Sequence, residues 1–190
     1  MMNRYLPAVI SICWCLCAPA VAAMETPAGI FVLIEQRMQL MKDVAGYKAQ
    51  QHLPIEDQKQ EEKVLENIRR QSIELGLEPA GTRRLYVALI NASKAIQYRY
   101  RAQWLATPEP DWTPRSLNDE VRPRLVAIDH ELLGSIKNYL SRGGTLTTQQ
   151  HQRELFGEIQ VRFLSETDKL RIYQALADVH LVVNSPTRRS

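Results

Sequence analysis

The sequence predicts an all-α protein, a helical bundle of about six helices with its functional site inside a single chain. Two observations carry this. Glycine is sparse, at 8 of 190 residues, and no alternating apolar run marks a strand. Long segments instead repeat apolar residues at steps of three and four, the period of a core-facing helix.

The elements follow in order. Thr26 as N-cap with Pro27 at the first position starts a helix that runs to about Gln51, where Leu53-Pro54 breaks it. Asp57 caps a second helix, with Gln60 three residues later as its capping-box partner, and this helix stops near Gly76. Pro79 begins a third, ending near Trp104. The stretch 107–115 holds Pro108, Pro110 and Pro114 and reads as a linker. Ser116 with Asp119 caps a fourth helix that contains Pro123 near its first turn and ends at Gly143-Gly144. Two shorter helices follow, over about 148–163 and 166–182, the last capped by Ser165 with Asp168 as box partner. The organisation is thus a core of helices over about 26–105 and a second helical part over about 116–182 within one domain, 24–190.

Residues 1–23 read as a signal peptide. Met1 to Arg4 carries one positive charge, Leu6 to Cys17 is apolar but too short to span a bilayer, and small residues offer a cut after Ala22 or Ala23. The lesser alternative is an N-terminal helix that stays attached, and Leu16 argues against lipidation at Cys17. Cys13, Cys15 and Cys17 all lie in this segment, so the mature chain would hold no disulfide, cysteine nucleophile or thiolate metal site. Losing Arg4 leaves 23 Lys+Arg against 21 Asp+Glu, a net charge of about +2. That is too weak a charge to indicate nucleic acid. Arg188-Arg189 is read as a frayed tail. Hydrophobic residues at 45% and charged residues at 24% are ordinary globular values, which suggest neither a disordered chain nor a membrane bundle.

The stripes are interrupted in an informative way. The first helix's seam reads Ile30, Ile34, Arg37, Met41, Val44, Lys48, and the third's reads Tyr86, Ile90, Ser93, Gln97, Tyr100, Trp104. The second runs Asp57, Glu61, Val64, Ile68. A buried charge without a partner costs several kcal/mol, and an unpaired buried polar group about 1–3 kcal/mol. Taken singly, each residue reads more readily as a structural one, either snorkelling from a seam edge or paired internally, as Lys48 with Glu61 or Asp57. Taken together on three successive helices, they suit a small polar dianion lying in the bundle.

No nucleophile–base pair accompanies them. His52 sits at a helix end, His130 lacks a second histidine four residues away, and His151 and His180 have no ligand-like spacing. A reaction that needs only orientation and electrostatics fits such a pocket.

The run Lys48-Ala-Gln-Gln-His-Leu-Pro-Ile-Glu-Asp57, with Arg37 eleven residues upstream, resembles the secreted, all-helical chorismate mutases. So do Asn91-Ala-Ser93-Lys-Ala-Ile-Gln97-Tyr and Arg122-Pro-Arg-Leu. The resemblance implies an isomerase that converts chorismate to prephenate by a [3,3] shift, in the phenylalanine/tyrosine branch of aromatic amino-acid biosynthesis, exported to the periplasm or beyond. It implies no cofactor, no metal, no nucleic acid and no membrane after signal cleavage, with a homodimer left open.

By resemblance Lys48, Gln97 and Arg37 are the catalytic residues. Arg37 and Arg122 would bind the two carboxylates with Ser93 assisting, and Lys48 and Gln97 would reach the ether oxygen from opposite sides. Asp57 and Glu61 would hold the ring hydroxyl. Gln60 stands where the family commonly has a substrate-binding arginine, so it is a binding candidate of weaker grip, or serves only the cap. Gln97 stands where some secreted members have glutamate. Arg124 is an alternative to Arg122, and both could sit on a solvated helix edge. Two rival functions remain: a non-catalytic helical binding module of the periplasm, and an isochorismate pyruvate-lyase of the same fold.

Overall fold

The computed structural model describes residues 27–183, so the signal-peptide segment, Thr26 and the Arg188-Arg189 tail lie outside the described residues. Seven α-helices and one π-helical turn occupy the described residues, with no strand among them. They are α1 (Ala28–Gln39), α2 (Met41–Gln50), α3 (Gln58–Leu75), α4 (Pro79–Ala106), the π-turn (Leu117–Val121), α5 (Arg122–Ser141), α6 (Gln149–Glu158) and α7 (Glu166–Ala177). The expected all-α bundle is therefore observed, its six predicted segments each represented.

The 28-residue α4 is the hub and packs on α2, α3 and α7, while α1 packs on α5 and α6. α3 also meets α5, which closes the ring around the polar seams. The core is one continuous cluster in which Phe31, Ile34, Leu85, Leu89, Ile96, Leu132 and Ile136 are fully buried.

Local chemistry explains most boundaries. Asp57 caps α3 by accepting from the Gln60 N–H at 3.1 Å, and Gly76 ends that helix in the left-handed region at φ 71°. Glu78, which the sequence reading passed over, caps α4 by accepting from Ala80 and Gly81 N–H at 2.8 and 2.6 Å. Ser165 and Asp168 form the anticipated capping box. Ser116 accepts from Asp119 N–H at 3.3 Å, but what it caps is the π-turn, and α5 begins only at Arg122.

Four further boundaries differ from expectation. The first predicted helix is interrupted at Leu40, which separates α1 from α2. Pro27 stands before that helix rather than inside it, and its carbonyl accepts from Ile30 and Phe31. α6 stops at Glu158 because Ile159 turns extended and buries its side chain completely. α7 stops at Ala177 because the following residues bond elsewhere: Glu78 N–H donates to the His180 carbonyl and Val182 N–H to the Gly76 carbonyl, both at 2.9 Å. In both late cases tertiary partners outcompete the next helical turn.

The proline-rich stretch is non-helical, as read, yet it is a packed strap. Trp112 lies against Gly46 of α2, where an added Cβ would stand 2.6 Å from the ring. Trp112 also stacks on Trp104 at 5.5 Å, Lys42 donates to Glu109 at 2.6 Å, and Arg115 binds the Asp43 carboxylate at 2.6 and 2.9 Å.

Candidate active site

The polar interruptions of the three seams meet. Arg37 of α1, Lys48 of α2, Asp57, Gln60 and Glu61 at the start of α3, Ser93 and Gln97 of α4 and Arg122 of α5 all line one cavity. Lys94 and the apolar Met41, Val44, Ile55, Val64, Ile90, Leu117 and Leu125 complete its wall. Arg37, Lys48, Ser93 and Gln97 form the buried end, each no more than 7% exposed. Asp57, Gln60, Glu61 and Arg122 are half-buried and form the rim. Arg124 does not line the cavity; it is exposed and donates to Gln36 Oε1 at 2.8 Å.

The helical period makes this possible. Arg37 falls on the inward stripe of α1, and Ser93 and Gln97 stand one turn apart on α4. The Gln51–Asp57 connection then carries the chain from α2 to α3 across one end of the cavity. Ile55 anchors that loop by burying its side chain. The Ile55 carbonyl turns inward, where Lys48 Nζ donates to it at 2.6 Å.

Each buried polar group has a defined state. Arg37 Nη1 donates to Ser93 Oγ at 3.0 Å, and Ser93 Oγ donates to the Leu89 carbonyl at 2.7 Å. That serine has no base beside it and is an anchor for the guanidinium, not a nucleophile. Gln97 Nε2 donates to the Ser93 carbonyl at 3.1 Å and makes a long contact to Met41 Sδ at 3.7 Å. A thioether is a weak acceptor, so a ligand oxygen would displace it at little cost. The Gln97 Oε1 is buried without a partner.

The internal pairing open to Lys48 is not formed. Glu61 pairs instead with Lys94 at 3.1 Å, and Asp57 lies 3.6 Å from Arg122. Among the described residues Lys48 has no carboxylate within ion-pairing distance. Burial pushes its pKa below the ordinary lysine value; Asp57 and Glu61 oppose the shift, and Arg122 and Arg101 add to it. The cavity therefore holds a buried ammonium with only a backbone carbonyl for company, flanked by a second cation and neutral donors. Such a wall attracts a small dianion and can stabilise negative charge that builds on an oxygen between Lys48 and Gln97.

Two further residues escaped the sequence reading. Lys94 lines the cavity, and its position between Ser93 and Gln97 was the available signal. Asp129 lies behind the wall and accepts from Arg37 Nε at 2.9 Å. Its signal was a lone carboxylate beside Ile128 on the apolar face of α5.

Comparison with known proteins matches residues 28–98 to the family model described as chorismate mutase type II. That span contains every candidate site residue except Arg122. Over 146 residues the chain is 40% identical to a monofunctional chorismate mutase of Enterobacter agglomerans, covering 77% of this chain and 79% of that protein. The chain belongs to the chorismate mutase family. It is also 52% identical over 108 residues to a secreted chorismate mutase of Yersinia pestis, where the match spans 57% of this chain and 58% of that protein. The solved structure of the secreted Yersinia pestis chorismate mutase superposes with a TM-score of 0.74 at 41% identity, covering 80% of this chain and 97% of the other. The all-helical chorismate mutase architecture thus accounts for the fold, and the cavity sits between the helices that the family model spans, closed by α5.

Proposed function

We propose that this chorismate mutase converts chorismate to prephenate in the cavity between α1, α2, α3, α4 and α5, with Lys48, Gln97 and Arg37 as its catalytic residues. The observation that carries the reading is the pairing of a buried, carboxylate-free Lys48 with the Gln97 amide on the wall of one cavity. The rearrangement moves no proton and forms no covalent intermediate, so the protein contributes geometry and charge alone. Arg37, backed by Ser93, holds one carboxylate of the compact diaxial conformer, and Arg122 at the rim holds the other. Lys48 and a Gln97 N–H then meet the ether oxygen, where negative charge grows as the C–O bond breaks. One preorganised donor at such an oxygen is worth about 2.7–4 kcal/mol of barrier. Asp57 and Glu61 hold the ring hydroxyl, and Gln60 supplies a neutral contact at the rim.

The substrate is bound without a cofactor, and the chain works outside the cytoplasm after cleavage near Ala22 or Ala23. The decisive experiment follows chorismate absorbance with the purified mature chain and identifies the product. Loss of chorismate with stoichiometric prephenate supports the reading. Unchanged chorismate despite binding would make the chain a binding module, and pyruvate release from isochorismate would make it a lyase.

A further inference from the structure

The Arg37 guanidinium is held from behind. Its Nε donates to Asp129 Oδ1 at 2.9 Å across 92 residues of sequence, and the two side chains are 6% and 8% exposed. The Tyr86 hydroxyl donates to the Asp129 backbone carbonyl at 3.1 Å, and the Tyr86 ring lies under the guanidinium at 5.9 Å. Asp129 is thus seated on α5 between two elements of the wall without lining the cavity.

The donor inventory gives this arrangement a consequence. A guanidinium has five N–H groups in one plane. Asp129 takes the Nε–H and Ser93 takes one Nη1–H. Three N–H groups remain, all on Nη1 and Nη2, the two nitrogens that meet a carboxylate in parallel bonds. Without the Nε bond only the Ser93 contact and the Tyr86 ring would restrain the plane, which loosens where the same donors point.

Resting on the assignment of Arg37 as a carboxylate ligand, we propose that Asp129 is a positioning residue for the reaction. It holds Nε so that the Nη1/Nη2 edge of Arg37 faces the substrate. The pair does not exist for charge attraction alone. Burial outweighs the pull of Arg37 and leaves the Asp129 carboxyl above its ordinary range. Buried ion pairs of this kind are weak stabilisers but strict about geometry.

The test is a set of steady-state measurements on the wild type, Asp129→Ala, Asp129→Asn, Asp129→Glu, Arg37→Ala and the Arg37→Ala/Asp129→Ala double variant, each checked for helicity. Misplacing a binding group by an ångström can cost about a hundredfold in rate. Asp129→Ala is therefore expected to lose at least about tenfold in kcat/KM. Asp129→Asn, whose amide oxygen accepts in the same place, is expected to keep most of the activity. Asp129→Glu, one methylene longer, is expected to lose activity like the alanine variant, and it stands in should Asp129→Ala fail to fold. In the Arg37→Ala background the Asp129→Ala loss should shrink to less than about twofold, because the carboxylate acts only through the guanidinium.

Wild-type kcat/KM in folded Asp129→Ala or Asp129→Glu overturns the proposal, and so do losses that multiply in the double variant. An inactive wild type, or an active Arg37→Ala, would instead defeat the functional assignment beneath it.

Discussion

Arg37 and Lys48 differ in how their charge is kept inside the bundle. Arg37 has a buried carboxylate behind it, whereas Lys48 has only the Ile55 carbonyl. Both Arg37→Ala and Lys48→Ala are expected to lower turnover at least about a hundredfold, the scale of one lost preorganised donor, with the helical circular dichroism spectrum intact. Steady-state kinetics with near-normal turnover in either variant would remove that residue from the mechanism. The lowered Lys48 pKa gives a direction on the alkaline side. With the ammonium as the proposed active form, kcat/KM should fall as pH rises, beginning below the pH at which an ordinary lysine titrates. Between about pH 5 and 8, where only histidine normally titrates, the profile should be flat, because an amide needs no proton to donate. Gln97→Glu should convert that plateau into a decline with rising pH, since a carboxyl donates only when protonated. A pH–rate profile unchanged by Gln97→Glu would count against residue 97 as the donor.

Among the elements, α1, α2 and α4 present the proposed catalytic residues, and two glycines at α2 and α4 let neighbouring segments approach. A Cβ at Gly46 would meet Trp112 at 2.6 Å, and one at Gly81 would meet the Asp178 carbonyl at 2.7 Å. Overpacking at such contacts costs about 1–3 kcal/mol, so Gly46→Ala and Gly81→Ala should each lower the denaturant midpoint by a corresponding amount. Only Gly46→Ala should also lower kcat, because the strap it displaces lies on the helix that carries Lys48. Equal kcat in both variants would show that the strap does not position α2. These elements also show what a local pattern can and cannot carry. The capping box at Ser165 and Asp168 and the cap at Asp57 are written in adjacent residues, and both form. The ends of α6 and α7 are not written locally, because the next turns are lost to Glu35, Gly76 and Glu78, partners far away in sequence.

For the whole molecule, the described cavity is lined by residues of one chain. Every residue lining the cavity comes from α1 to α5 and their connections, so specific activity should stay constant on dilution through the nanomolar range. A loss of specific activity on dilution that added enzyme restores would mean that a second copy completes the site. The core that frames the cavity runs through α5, where Leu132 is fully buried. Leu132→Ala should cost about 2–5 kcal/mol in equilibrium unfolding, a large share of a small domain's stability.

The helical class, the caps at Asp57 and Ser165 and the inward placement of Arg37, Lys48, Ser93 and Gln97 were legible from residues three and four apart, because helical period is a local property of the chain. Which charge answers which was not legible. That Asp129 backs Arg37, that Lys94 takes Glu61 and that Arg122 rather than Arg124 reaches the cavity depend on the rotation and register of helices far apart in sequence. Those degrees of freedom are settled only when the apolar faces pack, and no spacing along the chain encodes them.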